Sequence, residues 1–207
     1  IAKQERPNKK HVEAIHSSSV HLLQIVNEVL DYNRITSGEF SFKEENFDLQ
    51  KLLDEVMDAV RPLAEKKDIG LLTNFDLDEQ HWVIGDAFRL KQILYNLLGN
   101  AIKFTPKGHV KLIVDCKQQD ENVYCYFTVE DTGIGFSKED QDKIFREFEQ
   151  GTNSDHQSMN QNGTGLGLAI VKTLIDAQGG RINAKSRLGK GTSFVVYLPY
   201  RLGKARV

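Results

Sequence analysis

Three polar side chains recur at helical spacing in the middle of the chain: Asn96, Asn100 and Lys103. Steps of four and three residues place them on one face of a helix, and apolar residues cover the rest of its circumference. Because a buried unpaired amide costs about 1–3 kcal/mol, such a face needs polar partners. A magnesium ion carrying triphosphate oxygens fits, since hard cations take oxygen ligands. For this helix taken alone, a solvent-facing polar stripe is the alternative.

A carboxylate, Asp131, follows a run of alternating apolar residues and precedes Gly133 and Gly135. At the end of a strand it can accept a hydrogen bond from the exocyclic amine of adenine, worth about 1.5–3 kcal/mol for a charged acceptor. Guanine presents an oxygen at that place, so this contact favours adenine. We expect the glycines to let the base lie against the backbone. Taken alone, the same residues also fit a tight turn.

A second glycine-rich segment stands before a predicted helix and consists of Gly163, Thr164, Gly165, Leu166, Gly167 and Leu168. Exposed N–H groups at a helix start bind anions. The preceding residues 150–162 are almost wholly polar, which predicts a mobile lid that orders around phosphate. Neither a Walker loop nor a dinucleotide fingerprint is present. A further short motif, Gly189-Lys-Gly-Thr192, follows near the end.

The elements that must position these residues are predicted from periodicity. Apolar residues alternate over 110–116 and 123–129 around a turn at 118–122, which indicates an antiparallel hairpin. Residues 69–75 and 82–84 are further strand candidates, and 39–48 is predicted as a connector. Residues 182–186 and 193–198 are predicted as another strand pair, with Gly189 and Gly191 at the turn. Helices are predicted over 48–67, with Pro62 disturbing its last turns, over 86–104 with Asp86 as N-cap, and over 165–177. The pattern is typical of an α+β two-layer sandwich, preceded by a long helix over about 8–35.

Bulk properties exclude several classes of protein. The chain has 207 residues and a formal net charge of −2, which argues against a nucleic-acid binder relying on positive charge. No apolar run approaches the roughly 20 residues that a bilayer crossing needs. Cys116 and Cys125 lie in apolar alternating runs, and we expect buried, reduced thiols in a reducing compartment, with a disulfide as the alternative.

Taken together, these segments resemble the sequence boxes of sensor histidine kinases, in the superfamily that also holds gyrase, MutL and a heat-shock chaperone (GHKL). Residues 96–105 resemble the N box, 131–135 the first glycine box, 144–148 the F box and 163–167 the second glycine box. The resemblance covers about residues 47–199 and implies a Bergerat-type ATP-binding fold with a mixed, largely antiparallel sheet.

The resemblance also implies roles for individual residues. Asn100 is the expected Mg²⁺ ligand, Asp131 the adenine contact, Lys103 a phosphate neighbour and Phe104 the border of the base. ATPase relatives carry a glutamate general base where this chain has Asn96. An amide is a poor base, so phosphoryl transfer to another nucleophile is favoured over fast hydrolysis. Gly133, Gly135, the 163–168 segment and Thr192 complete the expected ATP site.

The first helix is similar to the second helix of the family's dimerisation and phosphoacceptor hairpin. His11, His16 and His21 lack the acidic neighbour that follows the family's acceptor histidine, and steps of five residues prevent them from sharing a face. We therefore expect the acceptor to lie upstream of Ile1. The expected organisation is a partial hairpin (1–38), a connector (39–46), a catalytic ATP-binding domain (47–200) and a tail (201–207).

The sequence thus predicts the catalytic domain of a two-component sensor histidine kinase that uses ATP and Mg²⁺. Its expected partners are the phosphoacceptor helix, a response-regulator receiver domain and a second copy in a full-length homodimer, without nucleic acid. We expect a cytoplasmic location, where upstream segments can anchor the full-length protein to the inner membrane. A GHKL-type ATPase and a nucleotide-sensing docking module are the alternatives.

Overall fold

The computed structural model describes residues 41–77, 81–141, 143–145 and 166–205, together with six exposed helical residues of the predicted first helix. These six are Val12, Ser19, Leu22, Val26, Leu30 and Asn33. The remainder of that helix, including the three histidines predicted on it, lies outside the described residues. So do the predicted lid over 150–162, residues 146–148 of the F box, and Gly163, Thr164 and Gly165.

Seven strands of the described chain form one mixed sheet. In chain order they are β1 (Glu45–Asp48), β2 (Gly70–Leu77), β3 (Trp82–Gly85), β4 (His109–Gln119), β5 (Asn122–Asp131), β6 (Arg181–Arg187) and β7 (Gly191–Leu202). Their spatial order is β1-β3-β7-β5-β4-β2, and β6 pairs with the first part of β7. The β2–β4 pair is parallel, whereas the other pairs are antiparallel.

Helices cover one face of this sheet: α1 (Leu49–Glu65), α2 (Ala87–Phe104), the short α3 (Lys138–Gln141) and α4 (Gly167–Ala177). Asp48 and Asp86 cap α1 and α2, because their carboxylates accept hydrogen bonds from the backbone N–H groups three residues later, at 3.1 and 3.0 Å. Every second residue of β4 and β5 is buried beneath the helices, and polar side chains alternate on the opposite face. The predicted two-layer α+β sandwich is confirmed.

Four local predictions need correction. The connector contains a strand, β1, which pairs with β3. The hairpin turn is two residues, Asp120 and Glu121, rather than five. Helix α1 continues through Pro62 to Glu65. The prediction of reduced thiols is wrong: Cys116 and Cys125 lie opposite each other and form a disulfide, with Cα atoms 4.1 Å apart.

Among the described helices, none combines the length and apolarity needed to cross a membrane.

Candidate functional site

Helix α2 carries the three predicted polar residues, Asn96, Asn100 and Lys103, and each is half-buried. Its opposite face is fully buried in the core and holds Leu90, Ile93, Leu94, Leu97, Leu98, Ala101 and Ile102. The Asn96 amide donates a hydrogen bond to the Gln92 carbonyl at 3.1 Å. The side chain of Asn100 makes no hydrogen bond to another described residue. The helix thus presents an amide oxygen that is available to a ligand.

Lys103 lies near the end of this polar face. Its ammonium group sits 5.2 Å from the centre of the Phe104 ring, within cation–π range. Burial lowers the pKa of Lys103, because the charged form loses hydration there. An anion placed beside this ammonium would replace the lost hydration and favour the charged form.

The C-terminal end of α2 is tied to two other parts of the fold. Its last four carbonyls each accept a hydrogen bond from outside the regular helical pattern: Ala101, Ile102, Lys103 and Phe104. The donors are the Thr105 hydroxyl (2.7 Å), the Lys67 ammonium (2.7 and 2.8 Å) and the Ile134 N–H (3.1 Å). Helix ends normally leave such carbonyls to water, so this end is unusually well fixed.

Asp131 ends β5 and is held by the backbone on both sides. Its Oδ1 accepts hydrogen bonds from the Gly133 N–H at 2.8 Å and the Thr192 N–H at 3.2 Å. Burial raises the pKa of the Asp131 carboxyl, and these two N–H donors oppose the rise. The second carboxylate oxygen, Oδ2, has no hydrogen bond to the described chain. One oxygen therefore fixes the orientation, while the other can meet a ligand.

Thr192 belongs to a small hydroxyl network behind Asp131. Its hydroxyl lies 3.0 Å from that of Ser186, which also donates to the Gly191 carbonyl and accepts from the Phe136 N–H at 2.8 Å. Sequence reasoning missed Ser186. The signal was present, since alternation along β6 places this polar residue on the inward face beside Thr192.

The glycines after Asp131 allow the chain to contact itself. A methyl group on Gly133 would fall 2.4 Å from the Phe104 carbonyl oxygen. One on Gly135, whose φ is +62°, would fall 2.2 Å from the Arg187 carbonyl oxygen. Their immediate role is thus close backbone packing of the loop, beside the expected one of admitting a base.

The start of α4 meets the polar face of α2. A methyl group on Gly167 would lie 2.7 Å from the Asn96 side-chain oxygen, so a larger residue here would displace the Asn96 side chain. Leu166, at the N-cap position, is buried and has no side-chain oxygen for a cap. Leu168 is half-buried and packs against the core. The structure therefore brings the described part of the second glycine segment to the asparagine helix.

Two described residues of the F box, Ile144 and Phe145, also pack against the core. The Phe145 ring makes an edge contact with Phe194, with centroids 6.3 Å apart, and Phe194 also contacts Phe136 at 6.5 Å. These rings connect the loop after Asp131 to residues 143–145.

A family model described as "Histidine kinase-, DNA gyrase B-, and HSP90-like ATPase" matches residues 85–202. The chain is 34% identical over 195 residues to the autoinducer 2 sensor kinase/phosphatase LuxQ of Vibrio parahaemolyticus, covering 93% of this chain and 22% of the relative. It is 36% identical over 187 residues to the signal transduction histidine-protein kinase BarA of Escherichia coli, covering 90% and 20%. The chain thus spans about a fifth of the length of these curated relatives.

Solved structures are similar over most of the chain. The full-length ShkA structure in complex with AMPPNP matches with a TM-score of 0.79 and 32% identity, covering 99% of this chain and 41% of that one. The nucleotide-free catalytic domain of histidine kinase ThkA matches with a TM-score of 0.57 and 28% identity, covering 76% and 95%.

Proposed function

This chain belongs to the histidine kinase-, DNA gyrase B- and HSP90-like ATPase family as an ATP-binding catalytic domain of the histidine kinase type, and from this premise we propose how its residues hold ATP and where the phosphoryl group goes. The observation that carries the proposal is the close approach of Asn96, on the half-buried polar face of α2, to Gly167 at the start of α4. The amides and the lysine of this face, together with N–H groups at the start of α4, are proposed to bind a polyphosphate.

Asp131 is proposed to read the base. Its Oδ1 is occupied by Gly133 and Thr192, so Oδ2 accepts from the exocyclic amine of adenine. Phe104, at the end of α2, is proposed to border the base, because its carbonyl lies against Gly133 in the loop after Asp131. Guanine would place a carbonyl oxygen against a buried carboxylate, which costs a hydrogen bond and adds repulsion.

The phosphate end is proposed to rest on Asn100, Lys103 and the start of α4. The donor set fits Mg²⁺, because the Asn100 amide oxygen is a hard ligand and Mg²⁺ uses few protein oxygens, with phosphates and water for the rest. Bound there, Mg²⁺ would neutralise charge on the phosphate oxygens. Gly167 and Leu168 lie in the first turn of α4, whose N–H groups, together with those of Gly163, Thr164, Gly165 and Leu166, are proposed to cradle the phosphates.

The proposed reaction is transfer of the γ-phosphoryl group to a histidine nitrogen. A neutral imidazole attacks phosphorus, the bond to the β–γ bridging oxygen breaks, and ADP leaves. Asn96 supports transfer over hydrolysis: its amide is a poor base for water, and its NH₂ group is engaged by the Gln92 carbonyl. Positioning and charge stabilisation then supply the rate enhancement.

The whole protein is proposed to act as a homodimer that phosphorylates its own acceptor helix and passes the group to a response-regulator aspartate. The described residues of the first helix support a helical partner. Leu22, Val26 and Leu30 follow one another at four-residue steps and are 61%, 45% and 49% exposed. Such a stripe is buried by another helix in hairpins and coiled coils. We propose a cytoplasmic location for this domain, against which the Cys116–Cys125 disulfide stands, because such bonds are rare in reducing compartments.

A phosphotransfer assay tests the proposal. A longer chain that carries the acceptor helix is incubated with γ-labelled ATP and Mg²⁺, and the label is tested for acid lability and alkali stability, as expected of phosphohistidine. Label that depends on Asn100 supports the kinase. Rapid phosphate release without any acceptor would instead indicate an ATPase, and failure to bind ADP would leave a docking module.

A further inference from the structure

We infer that Lys67 is a positioning residue for the phosphate end of the pocket, because it clamps the last turn of the helix that carries Asn100 and Lys103. The inference rests on the proposed function of that pocket. Lys67 lies 33 residues before Asn100 in sequence, in the turn between α1 and β2. It belongs to none of the sequence motifs described above.

The Lys67 side chain makes two direct hydrogen bonds to the end of α2. The Lys67 Nζ atom donates to the Ile102 carbonyl at 2.7 Å and to the Lys103 carbonyl at 2.8 Å. The second of these carbonyls belongs to the same residue whose ammonium group is proposed to meet the phosphates. One side chain thus fixes the backbone from which the phosphate-binding lysine extends.

The backbone of the turn that carries Lys67 is itself held by hydrogen bonds. The Lys67 N–H donates to the Ala64 carbonyl at 3.1 Å, and the Ile69 N–H donates to the same carbonyl at 3.0 Å. Ala64 and Ile69 are both buried, with 1% and 6% exposure. The turn that carries Lys67 is therefore held between two core residues, and the clamp connects α2 to a rigid part of the fold.

Electrostatics favour this arrangement. Backbone dipoles leave partial negative charge at a helix C-terminus, so an ammonium group there is stabilising. Partial burial lowers the pKa of Lys67, because its ammonium group loses some hydration against α2. The two carbonyl acceptors act in the opposite direction, since they stabilise the charged form.

The clamp acts on one end of the pocket more than on the other. The loop after Asp131 has its own tie to α2, since the Ile134 N–H donates to the Phe104 carbonyl at 3.1 Å. Asp131 is also held by Gly133 and Thr192. Without the ammonium group of Lys67, the last turn of α2 would loosen around Lys103 while the base contact stayed in place.

The test compares ligands that share adenine but differ in phosphate number. Dissociation constants for adenosine, ADP and ATP, with Mg²⁺, are measured for the wild type and for Lys67→Met, Lys67→Gln and Lys67→Arg, below each variant's unfolding temperature. Lys66→Met is the matched control, because Lys66 is a neighbouring lysine that is also exposed and whose side chain makes no hydrogen bond to the described chain. We expect Lys67→Met to weaken ADP and ATP binding about tenfold, a factor worth about 1.4 kcal/mol, while adenosine changes less than about twofold on the same scale.

Lys67→Arg should recover most of the affinity, because a guanidinium group can also donate to two carbonyls. Amide signals of Lys103 and Phe104 in ¹⁵N spectra should shift in Lys67→Met and not in Lys66→Met. If Lys67→Met fails to fold, the same measurements on the neutral Lys67→Gln variant test the inference. Unchanged ADP affinity, or an equal loss for adenosine and ADP, would overturn the inference. A wild-type protein that does not bind ADP would instead overturn the proposed function.

Discussion

The two ends of the pocket are built in different ways. At the carboxylate end, Asp131 is fixed by the N–H groups of Gly133 and Thr192, and Ser186 supports Thr192 from behind. At the amide end, Asn100 is half-buried and makes no hydrogen bond to the described chain. The carboxylate end is preorganised by the protein itself, whereas we propose that the amide end is completed by its ligand.

Because the two ends differ, substitutions at each end should affect protein stability and ligand affinity to different degrees. Substitutions that add atoms to the packed glycine loop at the carboxylate end should lower the free energy of unfolding. Substitution of Asn100, whose side chain makes no hydrogen bond to the described chain, should affect affinity with little effect on folding. The predictions below are ordered by the size of the expected effect.

The largest effect is expected from Gly135→Ala. The added methyl group would fall 2.2 Å from the Arg187 carbonyl oxygen, at a residue with φ of +62°. We expect a loss of about 3 kcal/mol or more in unfolding free energy, measured by urea denaturation. Gly189→Ala is the matched control, since Gly189 has φ of +70° but open space around it. It should cost about 1 kcal/mol, and equal losses in the two variants would contradict a packed carboxylate end.

The next effect concerns Asn100→Ala. We expect the affinity for Mg²⁺–ADP to fall at least about tenfold, because the cation loses a protein oxygen. The free energy of unfolding without ligand should change by less than about 0.5 kcal/mol, since no internal hydrogen bond is removed. Calorimetric titration and urea denaturation measure the two quantities. A strongly destabilised variant would show that the amide end is also built internally.

Asp131→Asn should lower the affinity for ADP and raise the stability of the unliganded protein. The amide oxygen can still accept from Gly133 and Thr192, but its NH₂ group cannot accept from adenine, so ADP affinity should fall about tenfold. The unliganded protein should become more stable at neutral pH by roughly 2–4 °C in Tm, as about 1 kcal/mol gives in a domain of this size.

The pH dependence of the Tm difference between Asp131→Asn and the wild type tests whether the charged Asp131 carboxylate destabilises the folded protein. Because the folded pKa of Asp131 lies above its ordinary value, its contribution to stability is fully present below the unfolded pKa and is lost as pH rises through the folded pKa. The Tm advantage of Asp131→Asn should therefore grow between acidic and neutral pH. An advantage that shrinks over this range would mean that the charged carboxylate is stabilised in the folded protein.

The smallest effect is expected at a buried polar group outside the pocket. The Tyr200 hydroxyl is buried without a hydrogen-bond partner in the described structure, beside the Phe47 ring. Tyr200→Phe should leave the unfolding free energy unchanged or raise it by up to about 1 kcal/mol, because no hydrogen bond is lost. ADP affinity should stay the same. A loss of more than about 1 kcal/mol would point to a partner for this hydroxyl.

Local patterns in the sequence were sufficient for most of the fold. Apolar periodicity predicted helices α1 and α2, the N-cap Asp86 marked the start of α2, and alternation predicted the β4–β5 hairpin. The strand β1 was missed because four residues carry too little alternation to distinguish a strand from a connector.

Contacts between segments far apart in sequence could not be predicted from local patterns. The parallel pairing of β2 with β4 and the clamp from Lys67 to α2 depend on segments that lie far apart in sequence. The disulfide depends on strand register, which sets Cys116 opposite Cys125. The asparagine face of α2 and the pairing of β6 with β7 were predicted from the sequence, whereas the contact of Ser186 with Thr192 behind Asp131 required the exact register of that pair.

The most direct test of the account is a calorimetric titration of this chain with ADP and with GDP, each with and without Mg²⁺. We predict Mg²⁺-dependent binding of ADP, at least about tenfold weaker binding of GDP, and loss of most of this discrimination in Asp131→Asn. Equal affinity for the two nucleotides, or ADP binding that is indifferent to both Mg²⁺ and Asp131, would contradict a pocket in which Asp131 reads adenine and Asn100 holds the cation.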